Sequence, residues 1–527
     1  MKPAAIESGT VATLTRSISG CASDPVSLYG RLCAEGSAPA TALLESADQT
    51  TKSGEKSLVM ARAALAITGR GRRVEVRALS PNGDCLLTRL AEIVPEEVSV
   101  THGDAKLQLC YPPRAGGEEQ TRLTSAGPLD VLRQLLTQLR PTETSQDHPA
   151  LLIGSLAYDL VAAYEDLPDA QTDKSGWPDI EMWLADRVVW IDHVARRTTA
   201  VCYVVGGEQS EQRYHDGAHA LTDLVASCEA TESQVAYAVS AGEHPRPQVD
   251  MDDEAYMAKV AELKQHIVDG DIFQIVPSRT FSLPCSNPLS AYTRLRALNP
   301  SPYMFFLSGS QGILFGASPE SALTVTKDGA DGQKWVTVSP IAGTRPRGRR
   351  ENGEIDRDLD TRLEAELRLD EKEVAEHIML VDLARNDVAR ISEAGTREVT
   401  ELLQVVRYSH VMHLVSLVSG RLRSDLDALH AYAATMNMGT LVGAPKIRAA
   451  TLLRQHEATR RGPYGGAVGY LTADGEFDSC IVIRSAQVSN GVAQVRAGAG
   501  VVFDSDPQAE ADETRRKAAA VLKALEE

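Results

Sequence analysis

The sequence predicts a mixed α/β (α+β) protein, a large sheet-rich core wrapped by helices. Three observations lead there. Short β-like runs alternate with amphipathic stretches in the first half of the chain. Strand-like segments bounded by glycine turns dominate the second half. At 527 residues, with no internal repeat, the chain is too long for one ordinary domain, so two lobes or one large fused core are expected.

The elements follow in order. Residues 1–25 are small, polar and weakly patterned, and are expected to form a flexible N-terminal segment. A second region, 26–250, becomes globular in texture from Leu43. It carries β-like runs at 74–79 and 187–191 and an amphipathic stretch at 129–136. The polar segment 229–250, with Pro245 and Pro247, reads as a linker. It leads into a third region, 251–527. There Asp252 or Asp253 caps a helix whose apolar face is Tyr256, Val260, Leu263 and Ile267, and Gly270 ends it. Strands are expected at 312–316, 465–471, 480–483 and 492–502.

Composition narrows the function. Apolar residues make up 43% of the chain, enough for a sizeable core. A net charge of −18 argues against non-specific binding to nucleic acid or to an acidic membrane surface. No apolar stretch approaches the roughly 20 residues that span a bilayer. The eight cysteines form no C-x-x-C pair and read as reduced thiols of a cytoplasmic protein.

Two Glu-x-x-Glu pairs attract attention. Glu373 and Glu376, like Glu510 and Glu513, lie in helix-prone windows, where a spacing of three puts each pair on one face. Two such faces opposed would hold Mg²⁺ through one or two carboxylates, with water and substrate oxygens completing the octahedron. The same spacing recurs at Glu208/Glu211, Glu351/Glu354 and Glu398/Glu401, so spacing alone does not single these pairs out; a solvated helix face is the default.

Other segments offer groups that receive carboxylates. The loop 340–348 is rich in glycine and arginine and follows a β-like run. Gly439 to Lys446 resembles a phosphate loop but lacks the Walker A spacing, which excludes an NTPase; its amides remain available to a carboxylate. Arg484 ends an apolar strand as a salt bridge or a substrate clamp. Gly498-Ala499-Gly500 ends another, where absent side chains let a ligand approach the backbone. Lys517 lies one helical turn after Glu513.

Seven motifs occur in a particular order: Gly270 to Gln274, Gly316 to Glu320, Pro340 to Thr344, Asp382 to Asp387, Gly443 to Lys446, Asp478 to Arg484 and Asp512 to Thr514. Together they resemble the chorismate-utilising enzyme family, across essentially all of 251–527 and more thinly in the N-terminal half at 43–48 and 154–159. The resemblance implies a two-sheet β core with an intertwined N-terminal regulatory portion. It implies a chorismate-binding catalytic domain at 251–527, and Mg²⁺ on Glu376 and Glu513 with Glu373 and Glu510 acting through water. It places chorismate against Gly343, Thr344, Thr440, Tyr464, Arg484, Gly498, Ala499, Gly500 and Lys517. Glu320 would be the general acid, and His413 the residue of the aromatisation step.

The nearest likeness is to the family's ammonia-using large subunits. These aminate chorismate at ring carbon 2 and then eliminate pyruvate to give anthranilate, the first step of tryptophan biosynthesis. Two positions favour ammonia as the direct nucleophile. Gln274 stands where water-adding relatives carry a lysine base, and Ala342 where many 4-aminating relatives carry lysine. The segment 43–48 resembles a tryptophan feedback site. Glu45 and Ser46 would lie against Pro302, Tyr303, Met304 and Cys480. No cysteine has the glycine-flanked setting of a glutaminase nucleophile. The resemblance therefore implies a separate glutamine amidotransferase subunit, in a heterotetramer of two large and two small subunits.

Overall fold

The computed structural model describes residues 5–18, 24–46, 56–113, 118–142, 147–170, 172–230, 246–328, 332–408, 410–457 and 459–526. Most of the expected linker, 231–245, and residues 1–4 and 19–23 of the expected flexible segment lie outside these. Two long strands, Lys56–Arg70 and Ile180–Asp192, pair antiparallel along nearly their whole length, with register shifts between Met60 and Leu65. Bulges bend and twist a strand pair, and here they divide it between two sheets.

The first sheet runs outward from the Lys56 end. Thr41–Glu45 pairs with that strand, followed by Tyr303–Gly309, Gly312–Ser318, Ser485–Ser489, Val492–Gly498 and Ser278–Pro284. On its other side the sheet continues from Ile180–Asp192 through Arg197–Val205 to Thr10–Ile18. The second sheet starts from the other halves of the same two strands. Leu151–Leu156 pairs with Ile180–Asp192, followed by Ala467–Thr472, Phe477–Ile481, Ser321–Lys327, Lys334–Val338 and Val411–Arg421. The expected two-sheet α/β core is therefore present. N-terminal strands lie inside both sheets: Thr41–Glu45 sits beside Tyr303–Gly309, and Leu151–Leu156 beside Ala467–Thr472. Leu151–Leu156 is buried at all six positions, as a strand covered on both faces must be.

One expectation fails. Residues 10–18 are no flexible segment but a nine-residue strand in register with Arg197–Val205. Val11 and Ile18 are buried at 1% and 3% exposure, and that burial, with the ladder hydrogen bonds, orders a stretch whose composition looked featureless. The helix after the linker is capped as expected, by Asp252 accepting from the Ala255 amide, and Gly270 beyond its end has φ +81°. The described cysteines are all free thiols, and among the described residues no helix is long and apolar enough to cross a membrane.

Candidate active site

The chain passes twice between the sheets at one place. Gly312–Ser318 lies in the first sheet and Ser321–Lys327 in the second, so Glu320 sits on the crossover. Phe477–Ile481 lies in the second and Ser485–Ser489 in the first, so Arg484 sits on the return. The crossovers are hydrogen-bonded to each other: Ile481 N–H to the Glu320 carbonyl at 3.0 Å and Ala317 N–H to the Arg484 carbonyl at 3.1 Å. Arg484 is held at φ +48°, a left-handed conformation that costs a non-glycine residue on the order of 1 kcal/mol and gathers at functional sites. Its side chain makes no hydrogen bond or ion pair among the described residues, and burial pulls its pKa below the usual arginine range.

Glu320 is 7% exposed and accepts the Thr440 hydroxyl at 2.9 Å. Burial pushes its pKa up to about 7, against the opposing effects of the Thr440 hydrogen bond and the Arg484 and Lys517 charges. A carboxyl poised there can donate a proton near neutrality.

His413 lies opposite, on the strand Val411–Arg421, paired in register with Thr344. The partner strand Ile341–Pro346 bulges at Gly343, whose φ of +72° favours glycine. The bulge brings the Gly343 carbonyl and the Thr344 hydroxyl each to 3.0 Å from His413 Nδ1. A carbonyl only accepts, so Nδ1 carries the proton and Nε2 keeps its lone pair. Nε2 is buried and has no hydrogen-bond partner among the described residues. Burial, and then the Arg484 charge, holds the imidazole pKa down at about 4, so the ring is neutral at physiological pH.

Both Glu-x-x-Glu pairs lie near helix N-termini. Asp370 caps Glu371–Ala389 by accepting the Glu373 amide, and Asp506 caps Pro507–Leu525 by accepting the Ala509 amide. The positive end of a helix dipole favours acidic residues there. The two pairs share one electrostatic neighbourhood. Glu376 is raised to about 7 by burial, then by the charges of Glu373 and Glu513. Glu513 is held below the usual carboxylate range by Lys517, 2.7 Å away, although burial opposes this. Burial raises Glu510. Glu376 also accepts Gln274 Nε2 at 2.7 Å.

Glycines bring backbone up to these carboxylates. A β-carbon at Gly500 would lie 2.8 Å from Gln274 Nε2 and 3.4 Å from Glu376 Oε1, and one at Gly343 would lie 3.3 Å from Glu373 Oε2. One at Gly498 would meet the Tyr464 hydroxyl at 3.0 Å, and the Gly498 carbonyl accepts Lys517 Nζ at 3.1 Å. Ala499 points inward: it is fully buried and its N–H goes to the Pro277 carbonyl.

Glu373, Glu376, Glu510 and Glu513 thus lie in one electrostatic neighbourhood, with Lys517, Lys372 and Arg345 among the opposing charges. No three His, Cys, Asp or Glu side chains form a ready-made metal cage among the described residues. The donor set still fits Mg²⁺, which needs only one or two protein carboxylates and takes its remaining oxygens from water and substrate. A divalent cation would also relieve the mutual repulsion that raises Glu376.

The arginine loop plays a different part from the one expected. Arg345 is spent on Asp370 at 2.7 Å and Glu373 at 3.2 Å, and Arg347 on Asp360 at 2.9 Å. These guanidiniums brace protein carboxylates and are not free for a substrate. Lys446 likewise pairs with Asp387 at 2.6 Å. The bracing role of Arg345 was not legible in the sequence, because its acidic partners lie 25 and 28 residues away.

Of the residues expected to bind an inhibitor, Glu45, Tyr303 and Met304 lie on neighbouring strands of the first sheet, with Ser46 and Pro302 at their ends, whereas Cys480 lies on Phe477–Ile481 in the second. Glu45 is in register with Met304, and Tyr303 with Ser318. The Tyr303 hydroxyl donates to Asp478 at 3.1 Å. Glu45 is buried, accepts Tyr292 and pairs with Arg296 at 3.0 Å. Ser46 Oγ is buried with no hydrogen-bond partner among the described residues, and Cys480 is 2% exposed. Pro302 precedes Tyr303 at the strand start.

The fold is a mixed α/β core whose two crossovers bring a raised carboxyl, Glu320, and an arginine, Arg484, onto hydrogen-bonded neighbouring segments. A family model described as chorismate binding enzyme matches residues 98–523, and the chain belongs to that family. Anthranilate synthase component 1 of Vibrio parahaemolyticus is 49% identical over 507 residues, covering 95% of this chain and 91% of that protein. The protein of the same name from Escherichia coli K12 is 48% identical over 505 residues, covering 95% and 94%. Among solved structures, anthranilate synthase component I from Streptococcus pneumoniae superimposes with a TM-score of 0.67 at 28% identity, over 89% of this chain and 92% of that one. The menaquinone-specific isochorismate synthase of Escherichia coli shares the fold, with a TM-score of 0.68 at 18% identity over 99% and 96%.

Proposed function

We propose that the chain is the large component of an anthranilate synthase, joining chorismate and ammonia to give anthranilate, pyruvate and water as the first step of tryptophan biosynthesis. The observation that carries this reading is the near-full-length similarity to relatives of that name. Gln274 supports the choice of nucleophile. An amide bonded to Glu376 does not serve as a base for water, whereas ammonia needs no activation beyond its own lone pair.

In this reading chorismate lies along the seam. Its carboxylates face Arg484, Lys517 and the backbone of Gly343, Gly498 and Gly500, with Thr344, Thr440 and Tyr464 beside them. Glu376 and Glu513 would hold Mg²⁺, with Glu373 and Glu510 supporting it through water. Such an ion would supply positive charge beside the ring carboxylate. Glu320 gives its proton to the 4-hydroxyl, which leaves as water while ammonia bonds to ring carbon 2, and the ammonium so formed returns a proton to the Glu320 carboxylate. His413, with a bare Nε2, then accepts the proton lost from that carbon as the enolpyruvyl C–O bond breaks and the ring becomes aromatic, and the released enolate takes up a proton at its methylene carbon to give pyruvate.

Ammonia would come from a glutamine amidotransferase partner, in a heterotetramer of two large and two small subunits in the cytoplasm. Tryptophan would bind at Glu45, Ser46, Pro302, Tyr303, Met304 and Cys480 and stabilise a state of low chorismate affinity, with reciprocal coupling. Purified chain given chorismate, Mg²⁺ and ammonium at alkaline pH should produce anthranilate, followed by its fluorescence. No anthranilate, or the 4-amino isomer instead, refutes the assignment.

A further inference from the structure

Arg461 is 3% exposed and takes no part in the chemistry above. Its guanidinium is nevertheless among the most fully used groups in the molecule. Nε donates to Glu457 Oε2 at 2.8 Å and Nη2 to Glu457 Oε1 at 2.7 Å, a two-point fork. Nη1 donates to the Leu441 carbonyl at 2.6 Å, and Nη2 also to the Val276 carbonyl at 2.6 Å. The plane packs over the rings of Tyr158, at 4.6 Å, and Tyr464, at 5.8 Å.

The two carbonyl contacts end close in sequence to residues of the candidate site. Leu441 follows Thr440, whose hydroxyl holds Glu320. Val276 is two residues beyond Gln274, which holds Glu376. Glu457 extends the network. It accepts the Ser278 amide at 2.9 Å, the Ser278 hydroxyl at 2.7 Å and Arg496 Nη2 at 2.8 Å, and Ser278 is the register partner of Gly498. Although burial opposes it, Arg461 and Arg496 hold Glu457 down at about pKa 2, so this carboxylate stays charged across the working range of pH.

We propose that Arg461, clamped by Glu457, is the positioning residue that sets the Thr440–Glu320 contact, the Gln274–Glu376 contact and the Tyr464–Gly498 wall in one mutual geometry. The inference rests on reading the cleft as the chorismate site. Stability alone does not account for the arrangement, because a buried ion pair is weak support for a fold and apolar residues would fill the same volume. What apolar residues cannot do is fix two carbonyls and a carboxylate from three chain segments in one plane. A guanidinium does this through its rigid fork, and a lysine ammonium cannot.

The test uses the full chain with chorismate, Mg²⁺ and ammonium, comparing wild type with Arg461→Lys and Glu457→Gln. The expected result is retained circular dichroism and a kcat lower by about 10- to 100-fold, with KM for chorismate changed far less, as for a small misplacement of reacting groups. A second readout separates positioning from simple bracing. Glu320 faces Arg484, Lys517 and the Thr440 hydroxyl, and the Thr440 bond lowers its pKa. Loosening Thr440 should therefore move the alkaline limb of kcat/KM upward in Arg461→Lys. Thr440→Val should cause the same shift, and the double variant no more than either alone. Additive effects overturn the inference, as does an unmoved limb with only a lower melting temperature. If Arg461→Lys does not fold, Glu457→Gln, which keeps the shape and one acceptor oxygen, carries the same readouts. Failure of wild type to form anthranilate refutes the functional reading; variants matching an active wild type refute only the role of Arg461.

Discussion

Glu320 and Arg484 occupy the two crossovers by which the chain changes sheets, and the backbone of each crossover is hydrogen-bonded to the other. An acid raised to about 7 and a half-buried cation, which forms no ion pair among the described residues, are thereby held on adjacent crossovers within reach of each other's charge. The seam between the sheets thus sets a carboxyl that titrates near neutrality and a guanidinium on neighbouring crossovers tied together by backbone hydrogen bonds.

The Glu320 carboxyl is protonated below about pH 7 and loses that proton above it, so a general-acid role makes kcat/KM for chorismate fall as pH rises through that value. The profile should be taken at constant free ammonia. Glu320→Gln should lower kcat by about 10²- to 10⁴-fold and flatten this limb. A limb that persists in the variant would assign it to another group.

Glu513→Gln should raise the Mg²⁺ concentration for half-maximal activity steeply, by more than about 100-fold. Glu510→Gln, acting through water, should raise it about 10- to 100-fold. Chelation should abolish turnover and added Mg²⁺ restore it. Ordinary activity of Glu513→Gln at ordinary Mg²⁺ would contradict the ligand assignment.

His413→Ala removes the unpartnered Nε2 but leaves Glu320 and its Thr440 contact in place. Amination should then outrun pyruvate elimination, and the aminated, non-aromatic intermediate should accumulate. Product analysis by chromatography checks this, and absence of the intermediate at reduced anthranilate output would place His413 elsewhere in the reaction.

Ser46→Phe puts a bulky ring at the buried hydroxyl beside Glu45. Tryptophan inhibition should weaken by at least about tenfold while kcat without tryptophan is retained. An inhibition curve identical to wild type would mean that the amino acid does not bind there.

The legible parts of the site were those written in local chemistry. The helix-prone windows of Glu373/Glu376 and Glu510/Glu513, and the helix bounded by Asp252 and Gly270, could be read because helix propensity and capping are decided within a few residues. Thr10–Ile18 was illegible because its order comes from Arg197–Val205, nearly two hundred residues away. The arginine loop misled for a related reason: its residue types announce anion binding, but not whose anion.

The sequence by itself determined the family, the order of the motifs and the residue types of the cleft, since each motif is a short run whose chemistry is fixed by its own side chains. Only the tertiary structure decided which charges are free and which are spent. Arg345 and Arg347 are consumed by Asp370, Glu373 and Asp360, whereas Arg484 at the seam has no ion-pair partner among the described residues. Protonation states and free partners depend on burial and on neighbours a few ångströms away, and the folding of two sheets around one strand pair brings those neighbours from distant parts of the chain.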